Sequence, residues 1–403
     1  MSKFSRRNFL KLSALASTSL FIPTFIKTVQ AKEVTSALAG GYKKLVVIQL
    51  SGGNDGLNTI IPFKNDVYYK NRNGISISEK EVLKITDELG FNPSLEKFKA
   101  LYDNGYLSVV NSVGYPNPNR SHFRSMDIWH SASDSNKTVN TGWIGRYLDS
   151  ECQNCKNPYN AIEVNENLSL AMKGESKSGI AVEDPERFFL STSEKFFADL
   201  IKANGKSDHD ENVSYLYKTM VDATSSAEYV YKTSKIYKSK STYPNTNFGR
   251  DLKTIAELII SDIDTSVFYV SLGGFDTHVN QTGRHERLLK EMSDGVYSFM
   301  EDLRINNRQD DALVMVFSEF GRRVKQNGSG GTDHGTANNI FLINGNLRKP
   351  GFYNEAPDLG DLENGDLKYK IDFRSVYANV LNDWLGVSSQ NILGKKFEPL
   401  GII

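Results

Sequence analysis

Short continuous apolar runs alternate along this chain with longer segments whose apolar residues recur every three or four positions. Leu45-Val46-Val47-Ile48-Gln49-Leu50, Val267-Phe268-Tyr269-Val270-Ser271-Leu272, Leu313-Val314-Met315-Val316-Phe317 and Asn339-Ile340-Phe341-Leu342-Ile343 read as buried strands, as does 106–113. Residues 94–104 carry Leu95, Phe98 and Leu101 on one helical face, and 247–263 and 373–385 also read as helices. Two shorter helices are expected at 121–132 and 141–148, behind polar caps. A long helix, about 281–306, has Leu288, Leu289, Met292, Val296, Phe299, Met300 and Leu303 at helical spacing, which is a core-packing stripe. Alternation of this kind predicts an α/β fold: a mostly parallel sheet with helices on both faces.

Between about 150 and 245 the rhythm changes. Two short strand-like pieces, at 161–164 and 179–182, lead into a helical stretch rich in Lys, Ser and Tyr. It reads as a cap subdomain inserted in the larger α/β domain of 41–403, with a solvated linker at Asp208-His209-Asp210-Glu211.

The start of the chain has a different character. Ser5-Arg6-Arg7-Asn8-Phe9-Leu10-Lys11 matches the twin-arginine export signature, and a weakly apolar run and the small-residue site Val29-Gln30-Ala31 follow. Residues 1–31 therefore read as a signal peptide cleaved after Ala31, and Pro23 and several Ser and Thr dilute the run below a spanning helix. The twin-arginine export machinery carries proteins already folded, which suits a metal loaded in the cytoplasm. The expected location is periplasmic or extracellular, with no membrane span in the mature chain.

Charge narrows the function classes. Lys plus Arg number 48 and Asp plus Glu number 48, so no net field favours nucleic acid. The two cysteines, Cys152 and Cys155, lack a nearby second pair for zinc. In an oxidising compartment they read as a local disulfide, with redox chemistry the lesser reading.

The chemistry-bearing residues gather where strands end, which is where open α/β sheets bind ligands. Asp55 follows the first strand in Gly52-Gly53-Asn54-Asp55-Gly56, a pattern that also serves as plain turn chemistry. Asp276 and His278 follow the double glycine Gly273-Gly274, Glu319 and Arg322 follow the strand ending at Phe317, and Asp333 and His334 lie in the next Gly-rich loop. Carboxylates and imidazoles of this kind are ligands for one or two divalent ions, Zn or Mn foremost and Mg or Ca at an oxygen-rich half. Asp333 suits either a ligand or a partner that orients the imidazole. Arg322 is either an anion clamp or a salt-bridge partner of Glu319, and Arg120 is a second clamp. Ser121 sits before a helix, as an N-cap or as a nucleophile at the positive helix end. Thr141 is the reserve nucleophile, and His285 is read as facing solvent.

Together the motifs SGGNDGLNT (51–59), NRSHF (119–123), TGWIGRYL (141–148), GGFDTH (273–278), SEFGR (318–322), GTDHGTAN (331–338) and DFRSVYA (372–378) resemble a large group of bacterial exported proteins of unassigned function. That group is similar to the alkaline phosphatase and sulfatase superfamily. The resemblance implies a two-metal hydrolase with Asp55 as the acid after the first strand and Ser121 as the nucleophile. It implies Asp276 and His278 as an acid–histidine pair and His334 as the late histidine. The superfamily usually places Asp-His after the strand that here precedes Glu319-Phe320; an alternative alignment puts that pair at Asp333-His334. No Cys-x-Pro/Ala-x-Arg segment occurs, which disfavours formylglycine chemistry. The leading expectation is an exported metal-dependent hydrolase of phosphate or sulfate esters, on a small-molecule or glycan substrate. The competing one is a non-catalytic exported binding or assembly protein with a protein partner.

Overall fold

The computed structural model describes residues 43–151, 158–193 and 211–403. The signal segment 1–31, Cys152, Cys155 and the acidic stretch 208–210 lie outside the described residues.

Among the described residues nine strands make the central sheet: β1 Lys44–Ser51, β2 Leu107–Gly114, β3 Ala161–Glu163, β4 Ile180–Ala181, β5 Val267–Gly273, β6 Ala312–Phe317, β7 Asn338–Ile343, β8 Gly351–Phe352 and β9 Ile371–Asp372. Their order is β8-β2-β7-β6-β1-β5-β3-β4, with β9 also alongside β2. All pairings are parallel except those of β7, which runs against both β6 and β2. The sheet is therefore mostly parallel, as the alternating pattern predicts.

Burial on both faces explains the continuous apolar runs. Along β1, Val46, Ile48 and Leu50 enter one core while Leu45 and Val47 enter the other. The first core is covered by α1 (Glu96–Asp103), α6 (Asn247–Ile260) and α7 (Gln281–Ile305) through Phe98, Leu252 and Met292. The second is covered by α2 (His122–Ser131), α3 (Trp143–Glu151) and α8 (Phe373–Asn379) through Trp129, Trp143 and Tyr377. On α7 the stripe from Leu289 to Leu303 is buried, and each such side chain contributes about 1.5–3 kcal/mol. His285 belongs to the same face and is 2% exposed, so the solvent-facing reading is corrected.

Within the stretch read as an insertion, β3 and β4 extend the main sheet beyond β5. α4 (Pro185–Thr192) and α5 (Glu211–Ser234) then pack together, with the Phe189 and Tyr231 rings stacked at 4.6 Å. Among the described residues no helix is long and apolar enough to cross a membrane.

Candidate metal centre

Strand register sets the site. Ser51 lies opposite Gly273 and Gln49 opposite Phe317, so the loops after β1, β5 and β6 leave the sheet side by side. Because β7 runs the other way, its amino end meets the same edge, and the preceding loop brings His334 there. β2 runs in the common direction, so α2 begins at that edge with His122 as its first residue. Two glycines let the loops close. Gly52 has φ +117°, and a Cβ there would meet the Asp276 amide at 2.4 Å. Gly53 has φ +74°, and a Cβ there would strike the Phe320 ring at 2.3 Å.

Three imidazoles converge on one carboxylate oxygen. Asp276 Oδ1 lies 3.0 Å from His278 Nε2, 3.2 Å from His334 Nε2 and 3.5 Å from His122 Nε2. The other nitrogen of each ring faces an oxygen. His122 Nδ1 meets Glu319 Oε1 at 2.8 Å, His334 Nδ1 meets the Arg120 carbonyl at 2.7 Å, and His278 Nδ1 meets Asp333 Oδ1 at 3.3 Å. A ring that donates through Nδ1 turns its Nε2 lone pair the other way, here towards Asp276. His122 Nε2 is buried and has no hydrogen-bond partner among the described residues. Ligand atoms of His122, Asp276 and His334 all lie within 4.8 Å of one another.

The surroundings tune these groups. Partial burial pushes the Asp276 carboxyl up, but the hydrogen bond and charge of the Arg322 guanidinium outweigh it and bring it down to about 2. The bond to Glu319 raises His122 above the usual imidazole value, whereas partial burial lowers His334. Hydrogen bonds from Asn327 and His278 hold Asp333 below the usual carboxylate range. The Asp276 side chain keeps 47% of its surface exposed, so the cluster is open to solvent. Beside it runs a cleft of about 450 Å³ lined by Asn119, Arg120, Glu319, Phe320, Lys368 and Tyr369.

Several predicted residues stand elsewhere than expected. Asp55 is 1% exposed and paired with the buried Arg72 at 2.6 Å, with Gln281 as a further donor. Its hydrogen bonds reach none of the cluster histidines. Arg322 is not the partner of Glu319. Its guanidinium donates to the carbonyls of Gly53 at 2.7 Å, Thr332 at 2.8 Å and Phe275 at 3.1 Å, to the Gly52 carbonyl, and to Asp276 at 2.7 Å. It ties three loops together and has no free edge for an anion. Glu319 is fully buried and accepts instead from His122 and from the Gly52 amide at 2.9 Å. The Phe320 ring packs against the cluster, 4.9 Å from the His122 ring and 4.8 Å from that of His334.

Ser121 is the N-cap residue of α2, is exposed, and makes no side-chain cap bond. The hydroxyl of Thr141 accepts from Arg146 at 3.2 Å, within the packing of α3. Arg120 pairs with Asp366, and its carbonyl serves His334. His122 is the residue that sequence reasoning passed over. It lies beside Ser121 in NRSHF, after a strand of the common direction, which is the sequence signal for it.

No curated protein matches the chain. Among solved structures it is similar to the C-terminal periplasmic domain of EcEptC from Escherichia coli in complex with Zn, at 10% identity, 75% of this chain, 72% of that chain and TM-score 0.34. It is similar to the lipoteichoic acid synthase LtaP from Listeria monocytogenes at 10% identity, 88% and 76% coverage and TM-score 0.40. It is also similar to the PsFucS1 sulfatase from Pseudoalteromonas sp. at 11% identity, 93% and 72% coverage and TM-score 0.37. Likeness at this level says nothing of activity. The profile of a family described as protein of unknown function (DUF1501) matches residues 42–394, and the chain belongs to that family.

Proposed function

We propose that this protein is an exported, metal-dependent hydrolase of phosphate or sulfate esters built around one divalent ion. The observation that carries this reading is the convergence of three Nε2 atoms on Asp276 Oδ1, each ring oriented by an oxygen at its Nδ1. The ligand atoms of His122, His334 and Asp276 lie close enough together to hold one nitrogen-rich ion, Zn above Mn, and His278 Nε2 beside Asp276 is the candidate fourth donor. Glu319, Asp333 and the Arg120 carbonyl orient the rings. A bound ion of this kind supplies Lewis-acid activation of an ester oxygen or of water.

The chain's own residues supply the rest. Ser121 is the candidate nucleophile, at the positive end of α2, where the helix dipole favours an anion. The cleft from Arg120 to Tyr369 receives the remainder of the ester. Since Asp55 is engaged by Arg72, the reading is of one ion rather than two. Residues 1–31 are read as the twin-arginine signal that sends the folded, metal-loaded protein out of the cytoplasm.

The test is elemental mass spectrometry on the exported protein, followed by an aryl phosphate and aryl sulfate screen. One ion per chain, lost in an Asp276→Ala/His334→Ala variant, is expected, with ester cleavage that Ser121→Ala abolishes while keeping the ion. A protein without metal under replete conditions sinks the proposal. Phe320, in the place of an expected imidazole, favours a second reading, a metal-bearing binding protein; bound metal, no ester cleaved and a co-purifying exported partner would support it.

A further inference from the structure

We infer that Asp366 is a positioning residue for the metal cluster: by holding Arg120 and Arg323 it fixes the carbonyl that orients His334. The inference rests on the metal reading above and concerns a residue remote from the cluster in sequence. Asp366 lies on the short hairpin of Leu362–Glu363 and Asp366–Leu367 and is 1% exposed. Its Oδ2 accepts from Arg120, and its Oδ1 accepts from Arg323 Nε at 3.1 Å. Both arginines belong to segments that carry the site. The Arg120 carbonyl accepts from His334 Nδ1 at 2.7 Å, and Arg120 is two residues before His122. The Arg323 amide donates to the Asp333 carbonyl at 3.0 Å, and Arg322 and His334 form a backbone bridge. The hairpin also grips the loop after His334, since the Thr336 hydroxyl donates to the Leu367 carbonyl at 2.5 Å.

One carboxylate thus joins the two chain segments whose relative placement decides where His334 Nε2 points. The Arg120 side chain is 42% exposed, so without its partner it would return to solvent and free the peptide that follows. A carboxylate is needed because two guanidiniums share it. An amide offers one acceptor, and its NH₂ would face the second guanidinium with nothing to accept. Stability alone gives little reason for a buried carboxylate, since apolar packing commonly serves as well or better.

The test uses the full folded chain and two readouts. One is zinc affinity, by competition with a chromogenic chelator. The other is the tautomer of His334 in metal-free protein, from side-chain ¹H–¹⁵N correlation spectra. Asp366→Asn should raise the zinc dissociation constant about 10–100-fold, the usual cost of losing an outer partner of a ligand. It should also erase the Nδ1–H tautomer of His334, and Asp366→Glu should recover part of both. Asp134→Asn, which breaks a pair with Arg374 and Lys395 outside the cluster, should lower the melting temperature and move neither readout. If Asp366→Asn does not fold, Arg120→Met removes the same link and is read the same way. An unchanged His334 tautomer overturns the inference, whatever the zinc affinity does. If the wild type binds no zinc, the hydrolase reading falls by itself. The tautomer then still decides: its loss in Asp366→Asn supports the link and its persistence refutes it.

Discussion

His278 Nε2 lies 2.9 Å from His334 Nε2. Each ring is held at its Nδ1 by an oxygen, Asp333 for His278 and the Arg120 carbonyl for His334. With both Nδ1 atoms protonated, two lone pairs face each other. That arrangement is favourable only with a proton or a cation between or beside them.

The first prediction follows from that contact. Zinc added to chelator-stripped protein should raise the melting temperature, by the equivalent of about 2.7 kcal/mol at a hundred times the dissociation constant. His334→Ala should abolish the rise. Differential scanning calorimetry with and without zinc reads both, and a wild type indifferent to zinc would leave the cluster as a hydrogen-bonded network alone.

Asp55 is predicted to matter for folding and not for metal content. Burial raises its carboxyl, but Arg72 outweighs burial and holds the group below the usual carboxylate range. Asp55→Asn would strand a buried guanidinium, at a cost of about 3–5 kcal/mol. Urea denaturation measures the loss, and the folded fraction should keep its ion. Loss of metal without loss of stability would return Asp55 to the ligand set.

Arg322→Lys should behave as a fold mutation despite the retained charge. An ammonium cannot serve the carbonyls of Gly52, Gly53, Phe275 and Thr332 together with Asp276. Leaving even two of these acceptors unmet costs on the order of 3 kcal/mol. Chemical denaturation reads the change, and a drop below 1 kcal/mol, roughly an ordinary surface effect, would contradict it.

Acid stability should depend on two histidines outside the cluster. Burial lowers both His130 and His285 to about 4. In the unfolded chain they protonate near pH 6.5, so unfolding takes up protons between about pH 6.5 and 4. Their contribution is complete above that window and is lost as pH falls through it, at up to about 1.4 kcal/mol per pH unit for each proton. Stability measured from pH 7 to 4 should show this slope, and His130→Gln with His285→Asn should flatten it. An equal slope in the double variant would assign the acid sensitivity to other groups.

The alternating pattern determined the α/β class, the two-sided core and the strand ends at which chemistry collects. These are local properties: a doubly buried strand must be apolar throughout, and a helix against a sheet needs a 3.6-residue stripe. On that basis Asp276, His278, Glu319, Asp333 and His334 could be named from the chain alone, and all five lie in the cluster or bond directly to it. What the pattern could not convey was strand order and direction. Nothing local shows that β7 is antiparallel, yet that reversal brings His334 to the common edge. Nor does local sequence show that β2 points the same way as β1, which delivers His122. The fates of Asp55 and Arg322 were decided at long range as well. Each is buried, and a buried charge takes whichever partner the packed chain supplies: Arg72 for Asp55, and four carbonyls and Asp276 for Arg322. Residue type made these side chains candidates, and only the tertiary structure, through desolvation and geometry, divided them between site and scaffold.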